Sequence, residues 1–139
     1  EGDFQRTALG DKDMMVAAFD TNGGLQWSDQ VGTAGNDKGA VVSVDSEQVI
    51  VAGYTDGDLA GAAGGFDVML IAYYADGTHR WVKQIGTSED DGADQYAEKN
   101  LFLSISGNHL LMSGLTAGSV DGVSFGGGDV FLTGINLGD

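Results

Sequence analysis

The sequence predicts an all-β protein built from tandem four-stranded, propeller-like blades. Three observations carry this: the chain matches itself at a fixed interval, its apolar segments are short and bounded by turn residues, and no segment shows a capped 3.6-residue apolar period. Asp13 matches Asp67, Met15 matches Met69, Ala18 matches Ala72 and Gly23 matches Gly77. Trp27 then matches Trp81, Gln30 matches Gln84, Gly32-Thr33 matches Gly86-Thr87, and Asp37 matches Asp91. Past this point the second copy has gained about seven residues within 92–101. The register then resumes with Ser43 on Ser104, Gly53 on Gly114 and Thr55 on Thr116. The chain divides as one repeat domain: the tail of a preceding repeat (1–12), repeat one (13–66), repeat two (67–128) and the first strand of a third (129–139).

Each repeat reads as four strands. In repeat one they fall at 13–20, 25–32, 40–44 and 48–54, and in repeat two at 67–74, 79–86, 101–105 and 109–115. Asn22-Gly23 and Asp76-Gly77 suit the positive-φ positions of tight hairpins, and Ser106-Gly107-Asn108 is similar. Asp45-Ser46-Glu47 is a weaker turn signal. The Gly-rich stretches 61–65 and 126–128 stand just before the first strand of a repeat and read as linkers between blades. No G-K-[ST] follows them, so they are not phosphate-binding loops.

The strands at 14–19, 49–52, 68–74 and 110–112 are continuous apolar runs, where a sheet with one wet face would alternate. Continuous runs imply burial on both faces, as when four-stranded units of about 50 residues stack on one another. The alternative is a nine-stranded β-sandwich or barrel. Two blades and a spare strand do not close a ring, and they would leave apolar sheet faces in water. Further repeats of a longer chain, or sister copies in a homo-oligomer, are the expected neighbours.

Composition narrows the function classes. With 21 acidic and 6 basic side chains among 139 residues the formal charge is −15, which opposes nucleic acid and anionic membrane as partners. The absence of cysteine excludes disulfides, thiol catalysis and Cys-ligated metals. No window approaches the roughly 18 apolar residues of a membrane span.

The strings D-x-M-[VL]-x-A-[FY]-x-x-[ND]-G, W-x-x-Q-[VI]-G-T and S-[VI]-x-x-x-x-[VL]-[IL]-[VM]-x-G-x-T occur at 13–23, 27–33 and 43–55, and again at 67–77, 81–87 and 104–116. Together they resemble the bacterial SBBP-type β-propeller repeat. That resemblance implies an extracellular or cell-surface bacterial protein and brings no catalytic motif. The insertion at 92–101 departs from it.

The resulting expectation is a non-enzymatic binding or adhesion module with a carbohydrate or surface-protein ligand held by rim loops. The alternative is a structural unit forming rings or filaments by strand addition. An enzyme with a channel site is the least supported class: His79 and His109 are not repeated, and no nucleophile motif is present. Trp27 and Trp81 sit at equivalent positions, where they either line sugar sites or pack between blades with the indole N–H on a backbone carbonyl. Gln95 and Tyr96 in the insertion are candidate ligand contacts. Glu89, Asp90, Asp91 and Asp94 form the best acidic cluster for calcium, which takes about six to eight oxygen ligands. A solvated acidic surface accounts for the same residues.

Overall fold

A computed structural model describes residues 7–61, 64–91, 101–119 and 127–137. Its elements are β1 (Met14–Phe19), β2 (Leu25–Val31), β3 (Asp37–Val44), β4 (Gln48–Thr55), β5 (Asp67–Tyr74), β6 (His79–Ile85), β7 (Phe102–Ser106), β8 (His109–Thr116) and β9 (Asp129–Asn136). All nine expected strands are present, and no helix forms among the described residues. β3 begins three residues before the expected position. Asp37 is anchored at its head, and a bulge between Gly39 and Val41 lets the strand carry on to that anchor.

The hairpin turns follow local chemistry. Gly23, Gly77 and Gly107 have φ of 82°, 87° and 57°, the left-handed region that the turn residues anticipate. The turn between β3 and β4 uses a side chain instead. Asp45 Oδ1 accepts from the backbone N–H of Glu47 at 2.7 Å and of Gln48 at 2.9 Å.

Among the described residues the nine strands pair antiparallel in three sheets, β1-β2, β3-β4-β5-β6 and β7-β8-β9, and an isolated parallel bridge joins Lys12 to Asn36. The nine strands close neither a barrel nor a propeller ring among the described residues. The central sheet takes its first two strands from repeat one and its last two from repeat two, with β4 paired to β5 from Gln48↔Tyr74 to Thr55↔Asp67. The sheet boundary therefore falls in the middle of the sequence repeat. Consequently the Gly-rich stretch 61–65 does not link sheets, as its position before a repeat had implied. It joins two adjacent strands of one sheet. The chain passes between sheets instead after β2 and after β6.

Two apolar layers hold the sheets face to face. Met14, Val16, Trp27 and Val31 of the first sheet pack on Val49, Val51, Met69, Ile71 and Tyr73 of the central sheet. The opposite face of the central sheet, with Ile50, Ala52, Tyr54, Val68 and Leu70, packs on Leu110, Met112, Phe131 and Ile135 of the third. β5 lies in both layers, so its residues from Val68 to Tyr73 are all fully buried. This is the physical meaning of its unbroken apolar run: neighbouring side chains point to opposite faces and each face meets a sheet.

The end sheets keep one face open. Met15 and Phe19 of β1 are 59% and 57% exposed, and Val130 and Leu132 of β9 are 77% and 75% exposed. Val42 and Val44 of β3 are also exposed, whereas their repeat equivalents Leu103 and Ile105 pack against the core. Among the described residues the first sheet has two strands, against four in the central sheet.

Candidate functional site

The polar residues of the repeat signature converge at the corner where one strand of a sheet leads to the next sheet. Asp37 accepts from the Thr33 backbone N–H at 2.6 Å and from the Thr33 hydroxyl at 3.1 Å. Thr33 Oγ1 accepts from Gly35 N at 3.1 Å, and Thr55 Oγ1 accepts from Gly57 N at 3.0 Å. The second repeat rebuilds the corner residue for residue. Thr87 N donates to Asp91, Glu89 N to Thr87 Oγ1 at 3.2 Å, and Gly118 N to Thr116 Oγ1 at 2.9 Å. Gly32 and Gly86 are required beside these carboxylates: a Cβ at either would run into Asp13 or Asp67. Carboxylates and hydroxyls here take up backbone N–H groups that would otherwise be left unpaired at a chain reversal.

This corner also places most of the acidic cluster proposed for calcium. Asp91 is 3% exposed and committed to Thr87, and Asp90 Oδ1 accepts from Phe66 N at 3.0 Å. Glu89 is exposed, and Asp94 lies outside the described residues, as do Gln95 and Tyr96. Among the described residues, no group of three or more His, Asp or Glu is arranged to hold a metal ion. A cavity of about 410 Å³ borders the corner, lined by Ile85, Thr87, Asp91, Phe131 and Thr133.

Trp27 is placed by packing. Its Nε1–H donates to the Ala75 carbonyl at 3.0 Å, and its ring stacks on Tyr73 with centroids 5.3 Å apart. A Cβ on Gly77 would come within 2.6 Å of the indole, so glycine serves both the turn and the ring above it. Trp81, its repeat equivalent, packs against the second apolar layer. The same junction holds His79, whose Nε2 lies 2.6 Å from Asp29 Oδ2, while the Tyr73 hydroxyl donates to that oxygen at 3.2 Å. His79 meets Tyr73 edge-on at 4.8 Å. Asp29 of the first sheet thus meets Tyr73 and His79 of the central sheet in one cluster. The sequence held no local signal for it, because Asp29 and His79 are 50 positions apart. His109 is exposed at the head of β8.

The hairpin rim carries a different surface. A cleft of about 530 Å³ opens between the turns of the central and third sheets, lined by Asp45, Glu47, Gln48, Arg80, Asn108 and Leu137 among others. Arg80 donates to Gln48 Oε1 at 3.0 Å, and its guanidinium lies over Tyr74, 5.5 Å from the ring centroid. Bonds from the Glu47 and Gln48 backbone, with Arg80 nearby, hold the Asp45 carboxyl below the usual carboxylate range. The cleft therefore presents a cation fixed on an aromatic ring, side-chain amides and carboxylates, none of which belongs to the repeat signature.

No protein-family model matches the chain, and no curated protein matches it.

Proposed function

We propose that the chain is a non-enzymatic binding module on an SBBP-type blade scaffold, exported to a bacterial surface, and that it recognises its ligand at the hairpin rim. The rim cleft around Arg80 is the observation that carries this reading. Signature polar groups such as Asp37, Thr33, Asp91 and Gln84 are engaged inside the repeat, whereas Asp45, Glu47, Arg80 and Asn108 line an open cleft. A fixed guanidinium stacked on Tyr74, beside amides and carboxylates, supplies paired donors and acceptors of the kind a hydroxyl-rich ligand such as a carbohydrate uses. Trp27 serves as a scaffold residue here, since its indole N–H and ring are both occupied.

A glycan array followed by titration of any hit against Arg80→Ala tests the reading. Weakening of about tenfold or more with an unchanged melting temperature supports rim recognition. A ligand held equally by wild type and Arg80→Ala contradicts it. A second reading, an assembly unit growing by strand addition, is favoured by β9, an eight-residue strand at the edge of its sheet.

A further inference from the structure

We propose, resting on the rim reading, that the cleft takes an acidic saccharide, a sugar carrying a carboxylate, and that the Arg80 guanidinium binds that carboxylate.

Arg80 is held by neutral partners. Its Nη1–H donates to Gln48 Oε1 at 3.0 Å, and its guanidinium lies 5.5 Å from the Tyr74 ring centroid. The chain has 21 acidic side chains against 6 basic ones, so a cation at its surface meets carboxylates in excess. Among the described residues, Arg80 still makes no ion pair. The nearby Asp45 is taken up by its own turn. Its Oδ1 accepts from the Glu47 and Gln48 backbone N–H groups, and its Oδ2 accepts from Gln48 Nε2 at 3.4 Å. Gln48 is buried between the two charges, with its amide N–H toward Asp45 and its carbonyl oxygen toward Arg80. One amide thus holds both charged groups and keeps them out of direct contact.

A guanidinium carries five N–H donors in a rigid fork, and the Gln48 bond uses one of them. The donors left over suit a planar carboxylate, which accepts two parallel N–H bonds. The amide bond and the Tyr74 ring set the guanidinium's direction beforehand, so little side-chain freedom remains to be lost on binding. The repeat does not place this pair: Gln26 stands at the position of Arg80 in repeat one, and Asp20 at that of Tyr74. Ser46 and Asn108 line the same cleft of about 530 Å³ and offer neutral donors and acceptors to sugar hydroxyls.

Glu47 also lines the cleft, and its carboxylate opposes an anion there. Its removal therefore reports the sign of the ligand's charge. The formal charge of −15 repels an anion from a distance, but salt at 0.1 M screens that field beyond about 10 Å and leaves the guanidinium contact in place.

The test is a glycan array, followed by titration of a matched pair: an oligosaccharide of glucuronic acid and its carboxyl-reduced neutral form. Each is titrated against wild type, Arg80→Lys, Arg80→Ala and Glu47→Gln. The acidic member should bind at least about tenfold more tightly than the neutral one. Arg80→Lys, which keeps the charge and loses the fork, should weaken it about tenfold, and Glu47→Gln should tighten it about two- to fivefold. Melting temperatures confirm folding, and Glu47→Gln, at an exposed position, decides the sign where an Arg80 variant does not fold. Equal binding of the two members, or weakening by Glu47→Gln, overturns the acidic ligand. If that binding is lost in Arg80→Ala, the rim reading stands without it. Preference on the array for sulfated over carboxylated sugars overturns the carboxylate. Acidic binding unchanged in Arg80→Ala, or an array with no bound glycan, overturns the rim reading as well.

Discussion

Gln84 donates its side-chain amide to Asp67 at 2.7 Å, and one repeat earlier Gln30 makes the same bond to Asp13 at 2.6 Å. The Gln84 amide also binds the loop between β4 and β5, accepting from Leu59 N at 2.8 Å and Ala60 N at 3.1 Å and donating to the Gly57 carbonyl at 2.9 Å. One side chain thus ties the end strand of the central sheet to the loop between its two middle strands. In repeat two the glutamine of the W-x-x-Q string is a loop clamp.

Gln84→Ala is expected to lose about 2–3 kcal/mol of stability, because it strips several partly buried backbone and carboxylate groups of a partner at once. Chemical denaturation of variant and wild type measures this. A change below about 0.5 kcal/mol would contradict the clamp.

Asp91→Ala is expected to lower the melting temperature by several degrees, equally in calcium and in chelator, because its carboxylate holds the Thr87 N–H. Paired thermal melts check it. A loss seen only in calcium would place a metal at this corner instead.

Trp27→Phe is expected to cost about 1–2 kcal/mol, through the lost indole bond to Ala75 and the smaller stack on Tyr73. Trp27→Ala should cost more, about 3–5 kcal/mol, by emptying the space above Gly77. Equilibrium unfolding of the pair separates packing from hydrogen bonding.

The Tyr54 hydroxyl is buried without a hydrogen-bond partner among the described residues, and burial pushes its pKa up to about 12. The folded chain therefore holds this proton more tightly than the unfolded chain, whose tyrosine ionises near pH 10. The resulting stability is complete below pH 10 and is lost as pH rises through about 12. Tyr54→Phe should be neutral or stabilising at pH 7, by up to about 1 kcal/mol. It should also be less sensitive than wild type between pH 10 and 12. Urea midpoints across that range report the difference.

Asp45 has the opposite sign. The N–H bonds from Glu47 and Gln48 lower its folded pKa, so its contribution is present above the ordinary carboxylate range and fades as pH falls through the folded value. Asp45→Asn should flatten that part of the acid limb, which urea melts between pH 2 and 5 would detect.

The strands were legible because their signals are local. Asn22-Gly23 and Asp76-Gly77 state turns in adjacent residues, and Val68 to Tyr73 states burial on two faces by having no polar break. The sheet boundary was not legible, because a period has no phase: a window from 13 to 66 repeats as well as one from 37 to 90. The misplaced linker at 61–65 follows from that ambiguity. The roles of Gln84, Thr33 and Asp91 were hidden for a different reason. Their residue types were visible in the repeat, yet a carboxylate bonded to a backbone N–H and one awaiting a metal look alike in sequence. The junction of Asp29, Tyr73 and His79 spans two sheets and had no sequence pattern at all.

Residue-resolved hydrogen exchange tests most directly that the central sheet joins the halves of two repeats. Amides of β4 and β5, paired from Gln48↔Tyr74 to Thr55↔Asp67, should be the most protected, with β1 and β9 exchanging much faster at the open ends. Equal protection of β1 through β4 as one block, with a break between β4 and β5, would contradict this and restore the sequence repeat as the folding unit.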